Sequence, residues 1–259
     1  MSAPRTHWAS SMTSTRDPAM NRPTTPPRRA AGFTLLELSI ALIVIGMLIS
    51  MAKVGGDLMR QSTYVKLIND FIFIGGWHNA YGSYTVGQGH VLLDNPASPT
   101  GLVNEGKGER KEENAVCDND LVNAMLAAGV SLPSGRGVGF ETHYGYQDSN
   151  GNPQDMEVCF QALDWAVPDG AIGSYRKDTH NVMILTRVTP DLARMIDAQK
   201  DGLVDARFGC VREEQYADRA DITSSRTWSM TNAQAWGGGA ATDESQIDVL
   251  TVHVSMDCN

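Results

Sequence analysis

The chain has 259 residues, 42% of them hydrophobic and 20% charged, with a formal net charge of -9. That is enough apolar material for one packed domain with additional segments. Five of the 21 basic residues but only one of the 30 acids, Asp17, fall within residues 1–32, so the rest of the chain is more acidic than the total suggests. An acidic body repels phosphate backbones, and nucleic-acid binding is not expected.

Residues 1–32 are rich in Pro, Ser, Thr and Arg and show no core-forming pattern, so they read as a leader outside the fold, with Met12 and Met20 as alternative starts. Residues 33–52, FTLLELSIALIVIGMLISMA, contain a single charge, Glu37. As a helix rising about 1.5 Å per residue this stretch covers ~30 Å, the thickness of a bilayer's hydrocarbon core. Arg28 and Arg29 precede it, which favours a cytoplasmic N-terminus. Three readings compete: a secretory signal cut after the apolar stretch, for which Ser50-Met51-Ala52 is a small-x-small site; a plain membrane anchor; and a signal cut before the apolar stretch.

The order of residues at the junction favours the last. Basic residues lead to Gly32, then Phe33, then Thr34-Leu35-Leu36-Glu37. This resembles the processing site of type IV pilins and type II secretion pseudopilins. The resemblance implies cleavage between Gly32 and Phe33 by a prepilin peptidase, methylation of the new N-terminus at Phe33, and an assembly contact between Glu37 and the α-amino group of a neighbouring subunit. A carboxylate in hydrocarbon costs several kcal/mol, so Glu37 needs such a partner or must snorkel to the membrane face. Expected partners are therefore other pilin or pseudopilin subunits, the prepilin peptidase, the inner-membrane assembly platform and the membrane itself. The expected location is the bacterial inner membrane, single-pass, with a periplasmic head that ends in a periplasmic or extracellular filament. The expected organisation is a leader over 1–32, the membrane and assembly half of a long helix over 33–53, its second half over 54–80, and a head over 81–259.

Helical spacing continues through Leu58, Tyr64, Val65, Leu67, Ile68, Phe71, Ile72 and Ile74. Gly55-Gly56 is expected to bend or melt the helix, and Gly75-Gly76 is a second weak point. Residues 81–114 read as a long loop. Within it, Gly101 to Lys107 has phosphate-loop spacing, but Gly108 stands where Ser or Thr is needed and no strand precedes it, so a solvated loop is expected. Residues 118–128 read as a short helix with Gly129 past its end, and residues 138–163 as a hairpin about DSNGNPQD. Asp148, Asn150, Asn152 and Asp155 in that connector resemble the start of a calcium loop, but Pro153 and Cys159 occupy its Gly and Glu positions, which favours a plain turn.

Val182 to Val188 reads as a strand, followed by a helix with Thr189 as cap, Pro190 at its first position and Leu192, Met195 and Ile196 facing the core. The stretch from Val188 to Val211, with its Pro-led helix ending in Ile196-Asp197, the Asp201-Gly202 turn and a later Gly209, is similar to a pattern of prepilin-type proteins. Residues 212–246 read mostly as loop. Residues 247–254 read as a strand with one buried face, Ile247, Val249, Thr251 and His253 lying on one side and Leu250, Val252 and Val254 on the other.

Cys117, Cys159, Cys210 and Cys258 form no C-x-x-C pair. In an exported chain they read as two disulfides, with sequential pairing, Cys117–Cys159 and Cys210–Cys258, favoured among the three possibilities. No catalytic motif is present and no metal site or cofactor is expected; His7, His78, His90, His143, His180 and His253 are scattered and read as surface or core-edge residues. Trp165, Trp228 and Trp236 read as core or contact residues before they read as a binding platform. The fold class expected is α+β, a long N-terminal helix with an antiparallel sheet packed on its second half. The function expected is that of a non-enzymatic filament subunit, by size a minor one. A tip adhesin on the same scaffold and an uncleaved membrane-anchored protein are the alternatives.

Overall fold

The computed structural model describes residues 33–106, 108, 109, 111–229 and 249–258. The chain divides into two compact units, residues 1–49 and 50–259. In the first, the described residues are helical from Leu35 onward; helix α1 is assigned over Leu35–Leu67. The second unit is α+β. After α1 come a π turn (Ile68–Ile72), α2 (Trp77–Gln88), short 3-10 turns at Val103–Glu105 and Glu112–Asn114, and α3 (Asp118–Ala127). Strands β1 (His143–Gln147), β2 (Pro153–Pro168) and β3 (Tyr175–Val188) follow, then α4 (Pro190–Asp201), β4 (Val211–Glu213), α5 (Glu214–Ala217) and β5 (Leu250–Ser255). The five strands form one antiparallel sheet in the order β1-β2-β3-β5-β4.

The helix runs unbroken through Gly55-Gly56, contrary to the expected bend. Two glycines cost about 1 kcal/mol each, which is too little to open a helix whose following turns are held by buried Tyr64 and Leu67. The break falls at the second pair. The π turn ends with Phe73 N–H donating to the Ile68 carbonyl (2.9 Å), and the chain bends through residues 73–76 before α2 begins. A Cβ on Gly76 would stand 2.1 Å from the Phe71 carbonyl carbon, so only glycine lets the backbone pass that closely. Helix α2 continues to Gln88, so the connecting segment begins at Gly89 rather than at Tyr81.

Both faces of the sheet are covered. Met156, Val158 and Phe160 of β2, Met183 and Leu185 of β3 and Leu250, Val252 and Val254 of β5 pack against Leu67, Ile68, Phe71, Ile72, Trp77, Leu121, Leu192 and Ile196 from the helices. Tyr81 stacks on Phe160 with ring centroids 5.0 Å apart. The opposite face carries Cys159, Leu163, Trp165, Val182 and Ile184, covered in part by Ala217 of α5. This corrects the expectation for β5: Thr251, His253 and Ser255 lie on its second side and are buried as well, because β5 is an interior strand with β3 and β4 as neighbours. It also corrects the loop reading of residues 212–246, which begin with the end of β4 and with α5. Ile247 lies outside the described residues.

The hairpin begins later and runs longer than expected, at His143 and to Pro168, because β2 is held by twelve paired positions with β3. Its turn is organised by Asp148, whose carboxylate accepts hydrogen bonds from the backbone N–H groups of Asn150 (2.8 Å) and Asn152 (2.9 Å) and from the side-chain amide of Gln154 (3.2 Å). Those oxygens are filled by donors, as in a turn and not in a calcium loop. Helix α4 begins at Pro190 as expected, but the Thr189 side chain makes no capping bond. The Tyr146 hydroxyl takes over, accepting from Thr189 N–H (2.9 Å) while donating to the Arg187 carbonyl (2.8 Å).

Candidate functional site

Thr34 starts α1. Its hydroxyl accepts a hydrogen bond from Glu37 N–H (3.2 Å) and its carbonyl accepts one from Leu38 N–H (3.1 Å). Glu37 thus lies in the first turn, where the helix dipole favours a carboxylate. Around it Leu35, Leu36, Leu38, Ile40, Leu42, Ile43, Val44, Ile45, Met47, Leu48, Ile49 and Met51 are all exposed, on every side of the helix, and Phe33 is 80% exposed. Gly32 lies outside the described residues. Among the described residues no helix is long and apolar enough to cross a membrane; side chains 52–54 are outside that set, and the described apolar run Leu35–Met51 covers about 25 Å.

Both disulfides are present: Cys117 is bonded to Cys159 (Cα–Cα 4.5 Å) and Cys210 to Cys258 (5.7 Å). The first ties the start of α3 to β2, the second the start of β4 to the end of β5. The Asp197 and Asp201 positions of the Pro-led helix hold the chain that follows. Asp201 accepts from Cys210 N–H (2.8 Å) and Val211 N–H (3.0 Å), and a Cβ at Gly209 (φ 85°) would stand 2.1 Å from its oxygen. Asp197 is fully buried and accepts from the Trp228 indole (2.9 Å) and Asp205 N–H (2.8 Å). Burial, reinforced by neighbouring Asp201, pushes its carboxyl up to about 7 against those two hydrogen bonds.

Trp165 and Trp228 are structural. Trp228 is buried on Asp197, Trp165 is buried under the Arg212 guanidinium at 4.2 Å, and Trp236 lies outside the described residues. Trp77, which the sequence did not single out, is fully buried and donates to the Glu141 carbonyl (3.2 Å). The expectation of surface or core-edge histidines fails at His253, which is 3% exposed with Nε2 3.7 Å from Glu214. The Gly101–Lys107 stretch is a loop closed by the Asp94 carboxylate, which accepts from Thr100 N–H (3.0 Å) and Gly101 N–H (2.8 Å); Lys107 lies outside the described residues.

One group of side chains brings together metal-ligating chemistry that sequence spacing hides. His143 and Glu157 are cross-strand partners in β1 and β2. The His143 Nδ1 is 3.2 Å from Asp155 and its Nε2 3.0 Å from Asp118, at the start of α3. Ligand atoms of Asp118, His143 and Glu157 all lie within 4.8 Å of one another. Asp155 is also paired with Arg136 (3.1 Å) and Asp118 accepts from the Thr142 hydroxyl (3.1 Å). Burial, then the charge of Asp118, raises the Glu157 carboxyl above its usual range. Cys117, Cys159 and Glu157 also lie close together, but the two sulfurs are bonded to each other and cannot act as thiolate ligands.

Residues 27–52 match the family model of the prokaryotic N-terminal methylation motif. The chain therefore carries a prokaryotic N-terminal methylation motif ahead of an α+β head. The chain matches no curated protein and no solved structure.

Proposed function

We propose that this protein is a minor pilin or pseudopilin, a structural subunit of a type IV pilus or type II secretion filament. The observation that carries the reading is the helix over Leu35–Met51, apolar and uncovered around its whole circumference, with one carboxylate, Glu37, in its first turn. Monomeric soluble proteins rarely leave more than a few hundred Å² of contiguous apolar surface exposed. A bilayer covers such a helix before assembly, and the helices of neighbouring subunits cover it afterwards. Prepilin peptidase cuts between Gly32 and Phe33. The new α-amino group, methylated on Phe33, then pairs with Glu37 of the next subunit and neutralises a charge that hydrocarbon would otherwise penalise. The head folds in the periplasm, where oxidising conditions sustain its two disulfides. In this role the chain needs no catalytic site; its chemistry is that of being processed and packed.

The experiment is N-terminal sequencing and intact mass of the membrane-bound protein, produced with and without a prepilin peptidase. A chain beginning at N-methylated Phe33 only when the peptidase is present is expected. An intact leader in its presence, or a start after Ala52, overturns the reading.

A further inference from the structure

We infer that Asp118, His143 and Glu157 form a binding site for one divalent transition ion of the zinc class, on the face of the head where α3 begins beside β1 and β2. Zinc is held by imidazole nitrogen and carboxylate oxygen at about 2.0–2.2 Å, so tetrahedral ligand atoms stand roughly 3.3 Å apart. Nε2 of His143 and Oδ1 of Asp118 are already 3.0 Å apart, and the Glu157 carboxylate lies within 4.8 Å of both, so small side-chain rotations bring all three onto one ion. Solvent supplies the fourth ligand, since Asp118 is exposed.

The surroundings of His143 match what a ligating histidine requires. A neutral imidazole has one N–H, yet here both ring nitrogens face carboxylate oxygens. With Nδ1–H donating to Asp155, the position between Nε2 and the Asp118 oxygen takes a cation, either a proton, which makes the contact an ion pair, or a metal ion bonded to both atoms. Asp155 then acts as the positioning residue, fixing the tautomer as carboxylates do behind metal-bound histidines, and is itself held by Arg136. The charge balance points the same way. Three carboxylates converge on one imidazole, with the Arg136 guanidinium on Asp155 and the Arg187 charge acting on Glu157 without an ion-pair contact among the described residues. The scaffold is rigid: His143 and Glu157 are paired across two strands, and Asp118 follows Cys117, whose disulfide reaches Cys159, two residues beyond Glu157 on the same side of β2. The nitrogen ligand selects zinc-class ions over calcium, which prefers an all-oxygen shell.

The test is titration of zinc sulfate into the full chain, purified in detergent without a polyhistidine tag and followed by calorimetry. One equivalent is expected to bind. His143→Ala, Asp118→Asn and Glu157→Gln should each weaken it by about tenfold or more. Asp120→Asn, which removes a neighbouring exposed acid on α3, should leave it unchanged. Circular dichroism of each variant reports folding, and the Asp118→Asn result stands by itself if His143→Ala does not fold. No zinc binding by the wild type, or binding that Asp118→Asn and Glu157→Gln leave intact, overturns the assignment. Calcium binding with the same sensitivity to substitution and no zinc binding also overturns it.

Discussion

Tyr146→Phe removes one oxygen atom from the interior, and the structure fixes what is lost. The Tyr146 ring is 4% exposed and lies edge-on to Tyr64, with centroids 5.8 Å apart, so the phenylalanine ring fits the same space. The hydroxyl joins two backbone groups at the junction of β3 and α4, the Arg187 carbonyl and Thr189 N–H. Arg187 lies at the irregularity between Leu185 and Val188 with φ 58°, where β5 offers no paired residue to replace the hydroxyl. Leaving a buried donor or acceptor unpaired costs about 1–3 kcal/mol, so two cost roughly 2–6 kcal/mol. For a domain near 200 residues each kcal/mol lowers Tm by about 2–4 °C, which puts the expected drop at about 4–24 °C. Urea and thermal unfolding of the full chain in detergent, each followed by far-ultraviolet circular dichroism with the disulfides intact, measure the loss in free energy and in Tm. Tyr144→Phe is the control, since that ring packs on Phe71 (5.0 Å) and no hydrogen bond holds its hydroxyl among the described residues. If Tyr146→Phe costs under about 0.5 kcal/mol, or no more than Tyr144→Phe, the bridging role is refuted.

Two further outcomes follow from the other end of the sheet. Because burial raises the Asp197 carboxyl to about 7, the folded state keeps a proton that the unfolded chain releases at the usual carboxylate range. Stability from this group is therefore complete below about pH 4 and lost as pH rises through about 7. Urea midpoints should fall between pH 5 and pH 8 for the wild type and stay flatter for Asp197→Asn; equal slopes would refute the assignment. Replacing both Cys210 and Cys258 by Ser opens a loop with a sequence separation of 48, expected to cost up to ~4 kcal/mol on the chain-entropy account. Reductant should then lower the urea midpoint of the variant less than that of the wild type.

What the sequence made legible was mostly local. The α3 and α4 helices follow from acids, a proline and a glycine at the right offsets: Gly129, just past the Ala128 cap of α3, and Gly202, the cap of α4, both take positive φ. The break at Gly76 and the turn at Asp148 were equally local. Long-range pairing overrode the rest. β4 and α5 carry only three and four residues and exist because β5 lies beside them, so no periodicity marks them. His253 could not be recognised as buried without knowing that β5 is interior. The His143 cluster was within reach: a turn centred on Asn150 sets His143 opposite Glu157, and the Cys117–Cys159 bond brings Asp118 to the same place. Its spacings of tens of residues match no metal motif, which is why it escaped a linear reading.

The order of strands has a kinetic consequence. β5 follows β3 and β4 in the chain but sits between them, and the sheet cannot close before residues 250–255 arrive. A chain made N-terminus first therefore waits, with β3 and β4 lacking the strand that joins them, until residues 250–255 have been added. Completion of the sheet and formation of the Cys210–Cys258 bond are then a single late event. Chains truncated before β5 keep both strand edges open and stay visible to proteases and holdases.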